Sequence, residues 1–143
     1  MAMSREYPDR PFVGVGVVVW RGEEVLLIER GKGPRPGGWS LPGGAQELGE
    51  TVRETARREI REETALEIEV TDLLDVVDLV RKDGEGRVRF HYTLVDFAAE
   101  WRSGEAVAGT DAAAVRWVRL EDLDGVELWE ETRRIIKLSA ARR

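Results

Sequence analysis

Cysteine is absent from the 143 residues and histidine occurs once. Without thiols, a disulfide scaffold and thiol catalysis are excluded. The single imidazole, His91, sits among alternating neighbours in "RVRFHYTLVDF" and reads as a structural or edge polar group, which removes a Ser-His-Asp hydrolase from consideration. No apolar run approaches the ~20 residues of a membrane span, and the opening "MAMSREYPDR" lacks the apolar stretch of a secretion signal. The expectation is a cytoplasmic protein with no membrane partner. Positive charge is also in deficit: 22 Lys and Arg face 28 Asp and Glu, for a net charge of -6. Such a chain repels a nucleic-acid backbone, so no nucleic-acid partner is expected. A phosphorylated small molecule is still accessible where a metal or a local basic patch supplies positive charge. Repeats, low-complexity tracts and linkers are absent as well, and the length fits a single domain over residues 1–143.

What is present reads as strands around two helices. "PFVGVGVVVW" (11–20) and "VLLIER" (25–30) read as strands of a hairpin joined at "RGEE". Gly14 and Gly16 fall short of a dinucleotide fingerprint, since Val19 stands where a third glycine is needed, and they read as strand glycines. "GKGPRPGGWSLPGG" (31–44) reads as a loop. Residues 51–64 read as a helix, capped by Thr51 with Glu54 completing a capping box. A strand region from 66 to 81, with a bend, turns at "KDGEG" into a returning strand over 87–100. A further strand spans 112–120, and an amphipathic helix spans 126–140, with Leu128, Trp129, Thr132, Ile135 and Ile136 on one side. This order predicts an α+β sandwich on a mixed sheet. The terminal helix either covers that sheet or forms a homodimer contact.

The helix over 51–64 is dense in Glu and Arg, and its geometry divides the charges. Successive residues turn by about 100°. Relative to Val52, Ala56 lies about 40° and Ile60 about 80° to one side. Glu63 lies about 20° to that same side, and Glu59 about 20° to the other. Glu59 and Glu63 therefore lie over the apolar stripe, with Glu62 about 80° to one side. Glu50, Arg53, Glu54, Arg57 and Arg61 occupy the far face and are expected to pair with one another. Inward carboxylates one turn apart cannot all ionise without compensation. A divalent cation would resolve the conflict, and oxygen-only donors suit Mg²⁺ or Mn²⁺ better than zinc. Neutralisation by arginine, with Arg58 the nearest candidate, is the competing reading. Spacing alone leaves both open.

The segment Gly44, Glu50, Arg58, Glu59, Ile60, Arg61, Glu62, Glu63, Thr64, Ala65, Leu66 resembles the Nudix box, G-x5-E-x7-R-E-U-x-E-E-x-G-U with U aliphatic. Ala65 departs from the box glycine, a position just past the helix where φ > 0 is convenient. The lead-in "WSLPGG" and the order of elements also resemble this family, which implies an α/β/α sandwich. The resemblance implies Mg²⁺-dependent hydrolysis of a nucleotide pyrophosphate. It implies Glu59, Glu62, Glu63 and the Gly43 carbonyl as metal ligands, with Arg58 and Glu50 bracing the helix. A proton acceptor for the attacking water lies inside the box, Glu62 first, or on a later loop, where Asp111 and Glu105 are candidates.

Arg30, Lys32 and Arg35 form a local basic cluster beside the glycine-rich loop; Arg30 and Arg35 are candidates for the substrate phosphates. Phe12, Trp39, Phe90, Tyr92 and Trp101 are available for base stacking, although each is more often packing. Subgroup marks are missing: no proline follows Pro42, and Tyr92 lies at the wrong offset for a diadenosine polyphosphate hydrolase. Hydrolysis of a nucleoside diphosphate linked to another group, such as ADP-ribose, is the first expectation. A nucleoside triphosphate pyrophosphohydrolase and a non-catalytic nucleotide sensor are the alternatives, the last ranked lower because Glu50, Glu59, Glu62 and Glu63 are all present.

Overall fold

The computed structural model describes residues 5–30, 38–109 and 112–143. The valine-rich β1 (Phe12–Arg21) turns at Gly22, whose φ of 61° suits the reversal, into β2 (Glu24–Arg30). The two strands pair only at Trp20↔Val25 and Arg21↔Glu24 and then part. β2 continues against β7 (Ala112–Arg119) and the short β3 (Trp39–Ser40). The side of β1 that β2 leaves is taken by β4 (Gly43–Ala45), through Gly14↔Ala45, Val15↔Gly44 and Gly16↔Gly43. On its other side β1 runs parallel to β6 (Val88–Ser103), which pairs antiparallel with the edge strand β5 (Glu67–Lys82). The sheet is therefore mixed, as the sequence predicts. The bend anticipated in the 66–81 region appears as register shifts between Val70 and Asp72 and between Leu73 and Asp75.

Helix α1 (Val52–Thr64) begins at the expected capping box. Thr51 Oγ1 accepts the Glu54 N–H at 3.1 Å, and the Glu54 carboxylate accepts the Thr51 N–H at 2.8 Å. Its Ala56 and Ile60 pack on Val15, Val17, Val19 and Leu26, one face of the sheet. Helix α2 (Glu130–Ala141) buries Ile135 and Ile136 on the opposite face, against Val18, Trp20, Val25 and Leu27. The outcome is a three-layer α/β/α sandwich. No helix among the described residues is long and apolar enough to cross a membrane.

Two expectations are corrected. The stretch read as a loop over 31–44 contains β3 and starts β4, because β1 and β2 splay apart and leave backbone groups to be paired. Strands of two and three residues are too short to show alternation. The second helix starts at 130 rather than 126. Residues 120–125 form a 3₁₀ turn, and Leu128 makes a strand-like bridge to Trp39. Leu128 is buried as the helical spacing implies, but in extended backbone.

Ala65 closes α1 in the left-handed conformation, with φ 64° and ψ 18°, and its N–H donates to the Arg61 carbonyl. A Cβ in that region is strained. Ala65→Gly should raise stability by about 0.5–1 kcal/mol, read as a higher denaturation midpoint with unchanged slope in urea.

Candidate active site

The corner between β4 and the last turns of α1 gathers the charges. Glu59 and Glu63 are 4% and 2% exposed, a burial that glutamate almost never reaches unless it is paired. Glycine makes room for them. A Cβ on Gly44 would lie 2.3 Å from the Glu59 carboxyl carbon, and a Cβ on Gly43, at φ 153°, would lie 1.8 Å from the Val15 carbonyl oxygen. The Gly43-Gly44 pair thus lets β4 press against both β1 and the glutamate face of α1.

Arg58 is the hub. Its Nε and Nη2 donate to the two carboxylate oxygens of Glu50 at 2.6 and 2.9 Å, a bidentate fork. Nη1 donates to Glu59 at 2.8 Å and to Glu62 at 3.2 Å, and Nη2 also reaches the Ala45 carbonyl at 3.0 Å. Glu50 accepts further bonds from the Glu47 N–H and the Thr55 hydroxyl. With Arg58 as the main cause, its carboxyl is held down to about 2.

Glu63 is served by a second arginine. The Gly43 N–H donates to it at 2.7 Å and Arg30 Nη1 at 3.0 Å. Arg30 Nη2 donates to the carbonyls of Leu41 and Gly43 at 3.2 and 3.3 Å, and its Nε to Ser40 Oγ. Burial still dominates at Glu63 and pushes its carboxyl upward. Arg30 and the Gly43 N–H oppose that rise, and Glu59 adds to it. The end of α1 is covered by the segment after β6: the Val107 and Gly109 N–H groups donate to the Thr64 and Glu63 carbonyls at 3.0 and 2.8 Å.

The structure therefore brings Arg30, Gly43, Arg58, Glu59, Glu62 and Glu63 to one corner. Glu62 stands at its rim, its side chain 60% exposed. Glu105 is exposed on the covering segment. Lys32, Arg35 and Asp111 lie outside the described residues. The sequence reading weighed Arg58 alone against the inward acids and placed Arg30 only toward substrate; the missing partner of Glu63 is Arg30, 33 residues away, and no local spacing announces it. The far-face pairing is also corrected. Arg61 bonds Glu67 beyond the helix, Arg53 lies over the Phe97 ring, and Glu50 turns inward to Arg58 and Thr55.

The donor set suits a hard divalent cation. It consists of carboxylates and a backbone carbonyl, and a positive centre already stands between each pair: Arg58 between Glu59 and Glu62, Arg30 between Glu63 and the Gly43 carbonyl. Two guanidinium groups serve five carboxylates, Glu47 at 3.6 Å from Arg58 included, so negative charge is left over. In this guanidinium-bound arrangement no three His, Asp or Glu side chains among the described residues converge on one point.

Comparison with known proteins shows the family. The sequence profile described as the NUDIX domain matches residues 10–139. An ADP-ribose pyrophosphatase of Methanocaldococcus jannaschii is 37% identical over 113 residues, 79% of this chain and 64% of that protein. The uncharacterized Nudix hydrolase YvcI of Bacillus subtilis is 32% identical over 78% of this chain and 68% of its own length. The chain thus spans about two thirds of these relatives, and slightly less of the first. The crystal structure of a MutT NUDIX hydrolase from Burkholderia pseudomallei superposes with a TM-score of 0.78 at 32% identity, covering 91% of this chain and 98% of that one.

Because Arg58 holds Glu50 well below the usual carboxylate range, the pair contributes stability above pH ~4.5 that is lost as pH falls toward ~2. Acid titration of the unfolding midpoint should show that loss in the wild type and a shallower one in Glu50→Gln. Arg58→Ala should cost about 2–4 kcal/mol at neutral pH by stranding Glu50 and Glu59, measured by urea unfolding.

Proposed function

The chain belongs to the Nudix hydrolase family, and we propose that it hydrolyses the pyrophosphate bond of a nucleoside diphosphate linked to another group, ADP-ribose or a similar nucleotide sugar, with Mg²⁺ or Mn²⁺. The observation that carries this reading is the burial of Glu59 and Glu63 against Gly43 and Gly44, each carboxylate already matched to a cation. Burying acids is costly unless positive charge meets them, and the family uses divalent metal cations. Support for the substrate class comes from the M. jannaschii relative, an ADP-ribose pyrophosphatase by name.

In this reading Glu59, Glu62, Glu63 and the Gly43 carbonyl would hold the metal. Bound metal would neutralise the charge that develops on the pyrophosphate and lower the pKa of the attacking water. Glu62, at the rim and open to solvent, would accept a proton from the attacking water; Asp111 is the alternative acceptor. Arg58 orients Glu59 and Glu62 together while Glu50 fixes Arg58. Arg30, beside the Gly43 carbonyl, and Arg35 would meet the substrate phosphates. The whole acts as one domain that takes a small nucleotide.

Glu63→Gln should lower metal-dependent turnover by at least 100-fold, on the order of what an electrostatic contributor supplies. Its fold should persist, since the amide oxygen still accepts the Gly43 N–H. Glu54→Gln, at the solvent-facing cap, should retain turnover within about twofold. The assay measures AMP against pyrophosphate release from ADP-ribose and nucleoside triphosphates during Mg²⁺ and Mn²⁺ titration. AMP release from ADP-ribose supports the proposal; tight binding of every compound without cleavage at any metal concentration overturns it.

A further inference from the structure

Across the sheet from the glutamate corner lies a carboxyl that none of these roles uses. Asp96, on β6, is 6% exposed, and its surroundings act on it through burial and charge rather than through a hydrogen bond. It registers with Gly16 of β1 and with Asp75 of β5, on the face covered by α2, where its neighbour at i+2, Ala98, joins the core with Val18 and Trp20. A Cβ on Gly16 would come 2.5 Å from Asp96 Oδ1 and 3.6 Å from Leu41, so the carboxyl leans over bare backbone. Gly16 stays partly exposed in the central strand, whereas Val17, Val18 and Val19 are sealed. The charged groups facing Asp96 are Asp75 from β5 and Arg134 and Glu131 from α2. Arg134 is already committed, at 2.8 Å to Asp75 and 2.9 Å to Glu131. No side-chain oxygen among the described residues is both sealed from water and unpaired, so the Asp96 carboxyl keeps an open edge beside the partly exposed Gly16. That open edge is where a ligand would meet it.

The reach fits the proposed substrate. Gly43 pairs with Gly16 and Gly16 with Asp96, two inter-strand steps of about 5 Å each. Leu41 packs on the α2 face, while Gly43 two residues later bonds Glu63 on the α1 face, so the chain turns the corner between the faces in three residues. A nucleotide with its phosphates at Gly43 and Glu63 can lay its base over Gly16.

We infer that Asp96 is a specificity residue that reads the base of an adenine nucleotide, its carboxyl group donating O–H to adenine N1 and accepting the N6 amino hydrogen. A neutral carboxyl offers one donor and one acceptor side by side, the complement of that edge. An ionised carboxylate offers acceptors only and suits the two donors of guanine. Burial, reinforced by Asp75, raises the Asp96 carboxyl to about 7, with Arg134 opposing; a base that expels further water favours the neutral form more. This deepens the reading of the site as one for nucleoside diphosphates joined to another group, and it rests on that reading.

The test is ADP-ribose binding by calorimetry in EDTA, where nothing is cleaved and neither ester phosphate titrates near neutrality. Affinity should fall roughly tenfold or more between pH 6 and pH 8.5 as Asp96 ionises. Asp96→Asn keeps a donor and an acceptor, so it should bind at both pH values with the dependence flattened. Asp96→Leu should bind at least tenfold more weakly at pH 6, and a GDP-linked sugar should bind wild type more weakly than ADP-ribose there. The inference is overturned by wild-type binding that is flat with pH, by an Asn variant that keeps the wild-type pH profile, or by equal affinity for the guanine compound at pH 6. Binding that follows the expected pattern in a protein that cleaves nothing with metal would uphold Asp96 and defeat the proposed hydrolysis; cleavage with a pH-flat binding profile would do the reverse.

Discussion

Everything at the glutamate corner follows from one electrostatic conflict. Glu59 and Glu63 lie within a helical turn of each other, nearly sealed from water, at the end of α1 where the backbone carbonyls disfavour negative charge. Such an arrangement persists only if positive charge is brought to it. The fold does so from two directions. Arg58 comes from the helix itself and is fixed by the Glu50 fork; Arg30 comes from the end of β2, across the sheet. Neither arginine is spare, since each also bonds backbone carbonyls that the short β3–β4 region leaves open. Backbone bonding and charge neutralisation are thus held by the same two side chains, and a change at either alters packing and charge together.

Much of this was legible in the sequence because it is periodic. The rotation of about 100° per residue assigns Glu59 and Glu63 inward and Glu62 to the side, and the burial of the first two and the exposure of the third agree. Thr51 and Glu54 announce the start of α1, and the strands carry their Val-rich signature. What periodicity cannot reach is pairing between distant segments. Arg30 at Glu63 and the Gly109 N–H on the Glu63 carbonyl depend on where β2 and the segment after β6 pass, and on nothing local. β3 and β4 are invisible for the same reason, being set by the splaying of β1 from β2. The self-paired outer face failed differently: Arg61 found Glu67, and Arg53 an aromatic ring, in neighbouring elements that an isolated helix lacks.

The glycines of β1 and β4 show how the same residue type serves opposite ends. Gly43 and Gly44 are small because backbone and carboxylate crowd them from both sides. Gly14 and Gly16 are small on the other face, where Leu94 and Asp96 cross over them. In sequence all four read as loop or strand punctuation, and only the registers Gly16↔Gly43 and Gly16↔Asp96 show that Gly16 links the glutamate corner to Asp96.

That link joins two sets of carboxyls that the fold holds very differently. The charge-neutralising residues are tied into α1, β4 and β2 by multiple bonds, so they cannot be varied without loss of the corner. Asp96 has no such ties: its surroundings act on it through burial and charge rather than through a hydrogen bond. A group held so loosely is free to change at little structural cost, and replacing it with an apolar residue should stabilise the fold. Charge neutralisation is therefore anchored where the structure is over-determined, and the Asp96 carboxyl stands where it is not.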